Sequence, residues 1–246
     1  MAICTEASFL VVDYNTSDLI NSLVKSIVKF SPGFKYNIVV FDNSDAEKLV
    51  IEDSLRSKAD IVVVDNTKSD LIDFNKLIRE CVRTEWGKSN NFASLKHACT
   101  VDYCLRSLGC LHDDVVLCDS DILLLKPIDF IDDSFVAVGE VKKTWDLSNE
   151  RLLPMLCYLN NKALKENGLK YFDRSRFIGC SPGTKYDTGA SIYEDIVKRK
   201  LNYRRLKISD YCIHLGHGSQ RIYGNRHIDV HVREKSFIEQ NKNKIE

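Results

Sequence analysis

The sequence predicts an α/β fold in which a doubly wound mixed sheet, flanked by helices, forms a single domain. Three observations lead there. Short apolar runs bounded by polar residues recur through the first half, at 8–12, 37–41, 61–64 and 115–118, and read as parallel strands buried on both faces. Between them lie stripes at three- and four-residue spacing, Leu19, Leu23, Ile27 and Phe30, then Leu71, Phe74, Leu77, Ile78 and Val82, which are the apolar faces of covering helices. An acidic residue follows each of the four runs: Asp13, Asp42, Asp65 and Asp119.

The elements follow in order. Thr16, Ser17 or Asp18 opens the first helix, and Ser69 or Asp70 the second. Strands alternating with helices imply right-handed crossovers and a ligand crevice at the carboxyl ends of the strands, so the residues just after each strand are the ones to examine for function. Past residue 130 the pattern loosens. Residues 135–138 read as a strand, 152–166 as a helix, 179–189 as a loop around Ser181-Pro182-Gly183, and 190–201 as a helix. Strands are expected at 206–208 and 211–215, and a disordered tail at 241–246.

With 246 residues and 44% hydrophobic content, the chain can bury a large core. Lys plus Arg and Asp plus Glu both total 35, which leaves no global basic field and argues against nonspecific nucleic-acid binding. The nine cysteines include no CxxC pair. The first residues lack a basic, apolar leader, and no stretch reaches the roughly 20 apolar residues of a membrane span. Buried free thiols in a cytoplasmic protein are the expectation.

The strongest chemical signal is Asp119-Ser120-Asp121, which interrupts the apolar segment from Val115 to Leu125. Two carboxylates buried there unpaired would each cost several kcal/mol. Spacing of two on an extended chain turns both to one side, where they can share a divalent cation whose shell is completed by diphosphate and water. The plain structural alternative is a pair of turn-capping aspartates. The second signal is Cys212-Ile213-His214-Leu215-Gly216-His217-Gly218-Ser219, two imidazoles around a glycine after a strand. His214, on the strand, is the better candidate for a third ligand, and Mn2+ accepts mixed nitrogen and oxygen donors.

The run Ser94-Leu95-Lys96-His97 on a helix, followed by the Asp119-Ser120-Asp121-Ile122-Leu123 strand end, resembles the GT-A glycosyltransferases of bacterial and viral type. The likeness covers roughly residues 8 to 220. It implies a nucleotide-sugar donor, UDP-sugar foremost, and Mn2+ or Mg2+ held by Asp119, Asp121 and His214. The acceptor would be a hydroxyl of a glycan, glycoprotein or lipid-linked molecule. By the same resemblance Asp13 and Asp42 touch the nucleobase and ribose, and Lys96, His97, Ser120 and His217 belong with the donor contacts. Residues 1–125 would form the nucleotide-sugar half and 126–240 the acceptor half of the one domain.

Two carboxylates compete as the base that takes the acceptor proton. Asp187, in Tyr186-Asp187-Thr188-Gly189, resembles the Asp-Thr-Gly element of such sugar pockets, or else caps the next helix. Asp195, after Glu194, echoes the acidic motif of inverting members, or else lies on a solvated helix face. The segment with Arg221, Arg226, His227, His231 and Arg233 is a candidate lid or peripheral membrane contact, or else a solvated basic surface. Two rival functions stand beside the transferase: a haloacid-dehalogenase-like phosphatase, whose Asp-x-Asp normally comes near the start of the fold, and a noncatalytic nucleotide-sugar-binding protein.

Overall fold

The computed structural model describes residues 6–31, 35–45, 48–81, 92–143, 150–178, 187–215 and 227–245. The first half runs β1 (Glu6–Asp13), α1 (Ser17–Phe30), β2 (Lys35–Asp42), α2 (Asp53–Arg56), β3 (Asp60–Asp65), α3 (Phe74–Cys81), α4 (Phe92–Ser107) and β4 (Asp114–Asp119). The second half runs β5 (Ile122–Leu124), β6 (Ala137–Lys143), β7 (Glu150–Asn160), α5 (Asn161–Glu166), α6 (Arg174–Ile178), α7 (Ala190–Lys198), β8 (Tyr203–Arg205), β9 (Cys212–His214) and α8 (His227–Ile245).

Seven strands form one sheet in the order β3-β2-β1-β4-β7-β6-β8, and β5 and β9 form a separate two-stranded ribbon. The strands β1 to β4 pair in parallel, whereas β7 runs antiparallel to both β4 and β6. The mixed, GT-A-like α/β sheet expected from the sequence is thus present.

Strand alternation explains the continuous apolar runs. Leu10, Val12, Val39, Phe41, Val115 and Leu117 face a core built with Leu95, Ala98, Val101 and Leu105 of α4 and Ile192 and Ile196 of α7. Their neighbours Phe9, Val11, Ile38, Val40, Val116 and Cys118 face the opposite core, built with Ile20, Leu23, Val24 and Ile27 of α1 and Ile122 and Leu124 of β5. A sheet covered on both faces needs no polar alternation.

Three expectations are corrected. Residues 152–160 are not helical: β7 occupies them, and the helix begins only at Asn161. Pro154, tolerable in a helical first turn, is accommodated instead where β7 has no ladder partner, between Leu152, opposite Val141, and Cys157, opposite Gly139. The strand expected at 206–208 lies slightly earlier, as β8. Residues 241–245 are the last turns of α8, with Asn241 and Ile245 buried.

Among the described residues, no helix is long and apolar enough to cross a membrane. Cys104, Cys118, Cys157 and Cys212 are buried free thiols, and Cys99 and Cys110 are half-buried ones.

Candidate metal and donor site

The carboxyl edge of the sheet is built as the topology requires. Asp13 stands in register with Asp42, and Asp42 with Asp65, while Asp119 lies opposite Val12. The chain turns at Ser120, half-buried, and re-enters as β5. β9 then pairs antiparallel to β5 with His214 opposite Ile122, and the Leu215 amide donates to the Asp121 carbonyl at 3.0 Å. That ribbon carries an imidazole from late in the chain to the Asp-x-Asp turn.

Asp119, Asp121 and His214 each offer a ligand atom, all within 4.8 Å of one another, and no other such group of three occurs among the described residues. His214 Nε2 is 3.0 Å from Asp121 Oδ1. Two ligands at right angles on an ion about 2.1 Å from each stand about 3 Å apart, so the spacing suits one small divalent cation. Two carboxylate oxygens and one imidazole nitrogen also suit Mn2+ or Mg2+ better than a thiolate-seeking metal. Asp121 is the buried anchor, with a side chain 6% exposed, while His214 at 30% faces the opening.

The electrostatics agree. Burial alone would lower the His214 pKa, but the hydrogen bond and charge of Asp121, helped by Asp119, outweigh it and hold the imidazole above its ordinary value. Burial would raise the Asp119 carboxyl, yet the His97 hydrogen bond and the charges of His97, His214 and Arg151 bring it below the usual carboxylate value.

His97 does not stand free in the crevice. Its Nε2 lies 3.4 Å from Asp119 Oδ1 and its Nδ1 lies 3.1 Å from Thr188 Oγ1. Thr188 opens the turn into α7, where its amide donates to Asp187 Oδ1 at 2.7 Å and Arg151 Nη1 meets Asp187 Oδ2 at 2.6 Å. Metal pair, His97, Thr188, Asp187 and Arg151 therefore form one connected polar array.

Gly189 makes the array possible. Its φ is +80°, and a Cβ there would fall 1.9 Å from the Leu152 carbonyl oxygen of β7. The close approach that a glycine permits is thus to the strand carrying Arg151.

The remaining candidates divide. Asp13 and Asp42 are fully buried and engaged with their own loops. Asp13 accepts from the Thr16 amide at 3.0 Å, from the Thr16 hydroxyl, and from Ser44 Oγ at 3.3 Å. Asp42 accepts from the Ser44 amide at 2.9 Å and the Leu49 amide at 3.4 Å. Burial, reinforced by the Asp42 charge, raises the Asp13 carboxyl despite the bonds from Thr16 and Ser44. Lys96 extends its ammonium over the rings of Phe74 (5.3 Å) and Tyr14 (6.0 Å), with no ion-pair carboxylate among the described residues.

Asp195 lies apart from the array, 2.5 Å from Arg176 Nη2, and Arg176 also engages Asp173 and Glu194. His217, Arg221 and Arg226 lie outside the described residues, as do the side chains of His227 and His231.

Arg151 is the site residue that the sequence reading missed. Assigning 152–166 to a helix left it as a flanking charge, whereas Pro154 inside an apolar run led by a charged pair was the available signal for a strand.

The mixed sheet with this edge ribbon fits the GT-A-like α/β fold expected from the sequence. No family model matches the chain, and no curated protein sequence does. Solved structures with a similar fold include the glycosyltransferase GlyE of Streptococcus pneumoniae TIGR4, at TM-score 0.49 and 11% identity over 84% of this chain and 46% of that one. They also include the galactosyltransferase LgtC, at 0.48 and 9% over 82% and 73%, and mouse xyloside xylosyltransferase 1, at 0.46 and 10% over 83% and 86%. The chain spans less than half the length of GlyE.

Proposed function

We propose that this protein is a metal-dependent glycosyltransferase that moves a sugar from a nucleoside-diphosphate sugar, a UDP-sugar foremost, to a hydroxyl of a glycan, glycoprotein or lipid-linked acceptor. One observation carries the reading: Asp119, Asp121 and His214, drawn from β4, the turn after it and β9, converge within 4.8 Å at the carboxyl edge of the sheet. Ligands of a doubly wound sheet gather at that edge.

In this reading the three side chains hold Mn2+ or Mg2+, which when bound neutralises charge on the departing diphosphate. Lys96, with its ammonium over Phe74 and Tyr14, adds a second positive charge for the phosphates. Asp13 and Asp42 locate the nucleoside by fixing the loops that follow β1 and β2, since their oxygens are already bonded there. Ser120 sits between the ligands in the chain, and His217, outside the described residues, is assigned to the phosphates on its sequence position alone.

Asp187 is the favoured base. It belongs to the array that reaches Asp119, and Arg151 keeps its carboxylate paired and aimed. Asp195 is bound to Arg176 and is the weaker candidate. Residues up to about 125 serve the donor, and those from 126 onward the acceptor.

The test is transfer and donor hydrolysis with Mn2+ across a panel of nucleotide sugars. Asp119→Ala and Asp121→Ala should each lose about a hundredfold or more, the scale for removing an electrostatic stabiliser. Full activity in both variants, or turnover of p-nitrophenyl phosphate in place of sugar transfer, would refute the assignment.

A further inference from the structure

We infer that Thr188 is a positioning residue for the metal centre, acting through His97 on Asp119. The inference rests on the reading of Asp119, Asp121 and His214 as cation ligands.

Proton bookkeeping fixes the direction of the chain. Asp119 as a carboxylate can only accept, and the ring nitrogen that faces it at 3.4 Å is His97 Nε2, so the tautomer with its proton on Nε2 is the one that suits this contact. A singly protonated imidazole then has a bare Nδ1, and the one hydroxyl within reach of it, Thr188 Oγ1 at 3.1 Å, must donate. Having spent its proton there, the Thr188 oxygen accepts, and the Tyr171 hydroxyl lies 3.5 Å away. In that tautomer the bonds run from Tyr171 to Thr188 and from Thr188 to His97, whose Nε2 is left facing Asp119 at 3.4 Å.

Nothing else accounts for the hydroxyl. Thr188 is buried, two residues before α7 starts at Ala190, and among the described residues its Oγ1 bonds only His97 and Tyr171, so it is not spent on the helix end. His97 Nε2 is buried and makes no well-formed hydrogen bond, its 3.4 Å approach to Asp119 Oδ1 being a charge contact only, so the bond at Nδ1 is what fixes the ring plane. That plane in turn sets the orientation of the Asp119 carboxylate. Partners of this outer kind commonly change metal affinity by about 10- to 100-fold when removed. Thr188 is one step further out, so about tenfold is expected.

The experiment titrates the full chain with Mn2+ alone, following the free-ion electron paramagnetic resonance signal at fixed pH. Thr188→Val, which replaces the hydroxyl by a methyl of similar size, should bind Mn2+ about tenfold more weakly than wild type with an unchanged near-ultraviolet dichroism spectrum. Thr188→Ser should restore the affinity. If the effect passes through His97, adding Thr188→Val to His97→Gln should cost nothing more.

Wild-type affinity in a folded Thr188→Val protein overturns the proposal while leaving the ligand assignment intact. So does full additivity with His97→Gln. Failure of the wild-type chain to take up Mn2+ overturns the ligand assignment and this proposal with it. Thr188→Ala removes the same hydroxyl without added bulk and gives the same comparison should Thr188→Val not fold.

Discussion

Gly189→Ala is the sharpest single perturbation of this fold. A methyl at that position would start 1.9 Å from the Leu152 carbonyl oxygen, and 3.0 Å from its carbon, both backbone atoms of β7 that cannot swing aside. Cβ contacts below 3.0 Å are essentially never seen, so α7 must retreat from β7 by about 1 Å or more. That retreat breaks the 3.3 Å bond from the Leu152 amide to the Gly189 carbonyl, a loss of about 1 kcal/mol. The left-handed φ of +80° adds about 1–2 kcal/mol for a residue with a Cβ. A total of about 2–3 kcal/mol corresponds, in a protein of this size, to a melting temperature lowered by about 4–12 °C. Function should fall too, because Thr188 and Asp187 travel with the helix end, and a misplacement of about 1 Å can cost about a hundredfold in rate. Thermal melts of the purified variant, followed by dichroism, read the stability directly. A Gly189→Ala protein that melts within about 1 °C of wild type would show that the α7–β7 contact is not rigid, and the argument for Gly189 would fall.

Two further predictions concern pH. The His214 pKa is held above its ordinary value by Asp121 and Asp119 against the opposing effect of burial, so Mn2+ must displace a proton. Affinity for Mn2+ measured by calorimetry should therefore keep rising as pH climbs past about 6.5 and level off only beyond the raised pKa, whereas His214→Asn should flatten that dependence. Asp13 has the opposite linkage to a salt-bridged carboxylate: burial raises its folded pKa, so its contribution to stability is fully present below the unfolded value of about 3.9 and is lost as pH rises through the folded value. Melting temperatures of Asp13→Asn and wild type should therefore diverge in favour of the variant as pH rises above about 4; a constant difference would contradict the raised pKa.

The parallel half of the sheet was legible because β1, β2 and β4 are buried on both faces, β3 is half-buried at the edge, and each ends on an acidic residue, a pattern that no amphipathic helix produces. The stripe of Leu19, Leu23 and Ile27 likewise identified α1. β7 was not legible: Leu152-Leu153-Pro154-Met155-Leu156-Cys157 is apolar throughout, so neither a period of 2 nor one of 3.6 stands out, and the bulge that admits Pro154 is a property of pairing with β6. At the site, Asp119, Asp121 and His214 could be nominated from spacing and strand-end position. The chain from Tyr171 through Thr188 to His97 could not, since it joins three segments far apart in sequence whose register is set only by packing. Asp13 and Asp42 show a further gap: a strand-end acid in sequence does not reveal the hydrogen bonds it makes to the turn that follows, as both do here.

The β5–β9 ribbon has a consequence for how the molecule is made. Asp119 and Asp121 leave the ribosome well before His214, and at about 5–20 residues per second the delay is roughly 5 to 20 s. Throughout that interval the nascent chain offers two carboxylates and no imidazole, a weak trap for any cation. Only when β9 zips onto β5 does the imidazole arrive, so under the proposed assignment tight capture of a divalent ion would report that the polypeptide has completed its long-range topology.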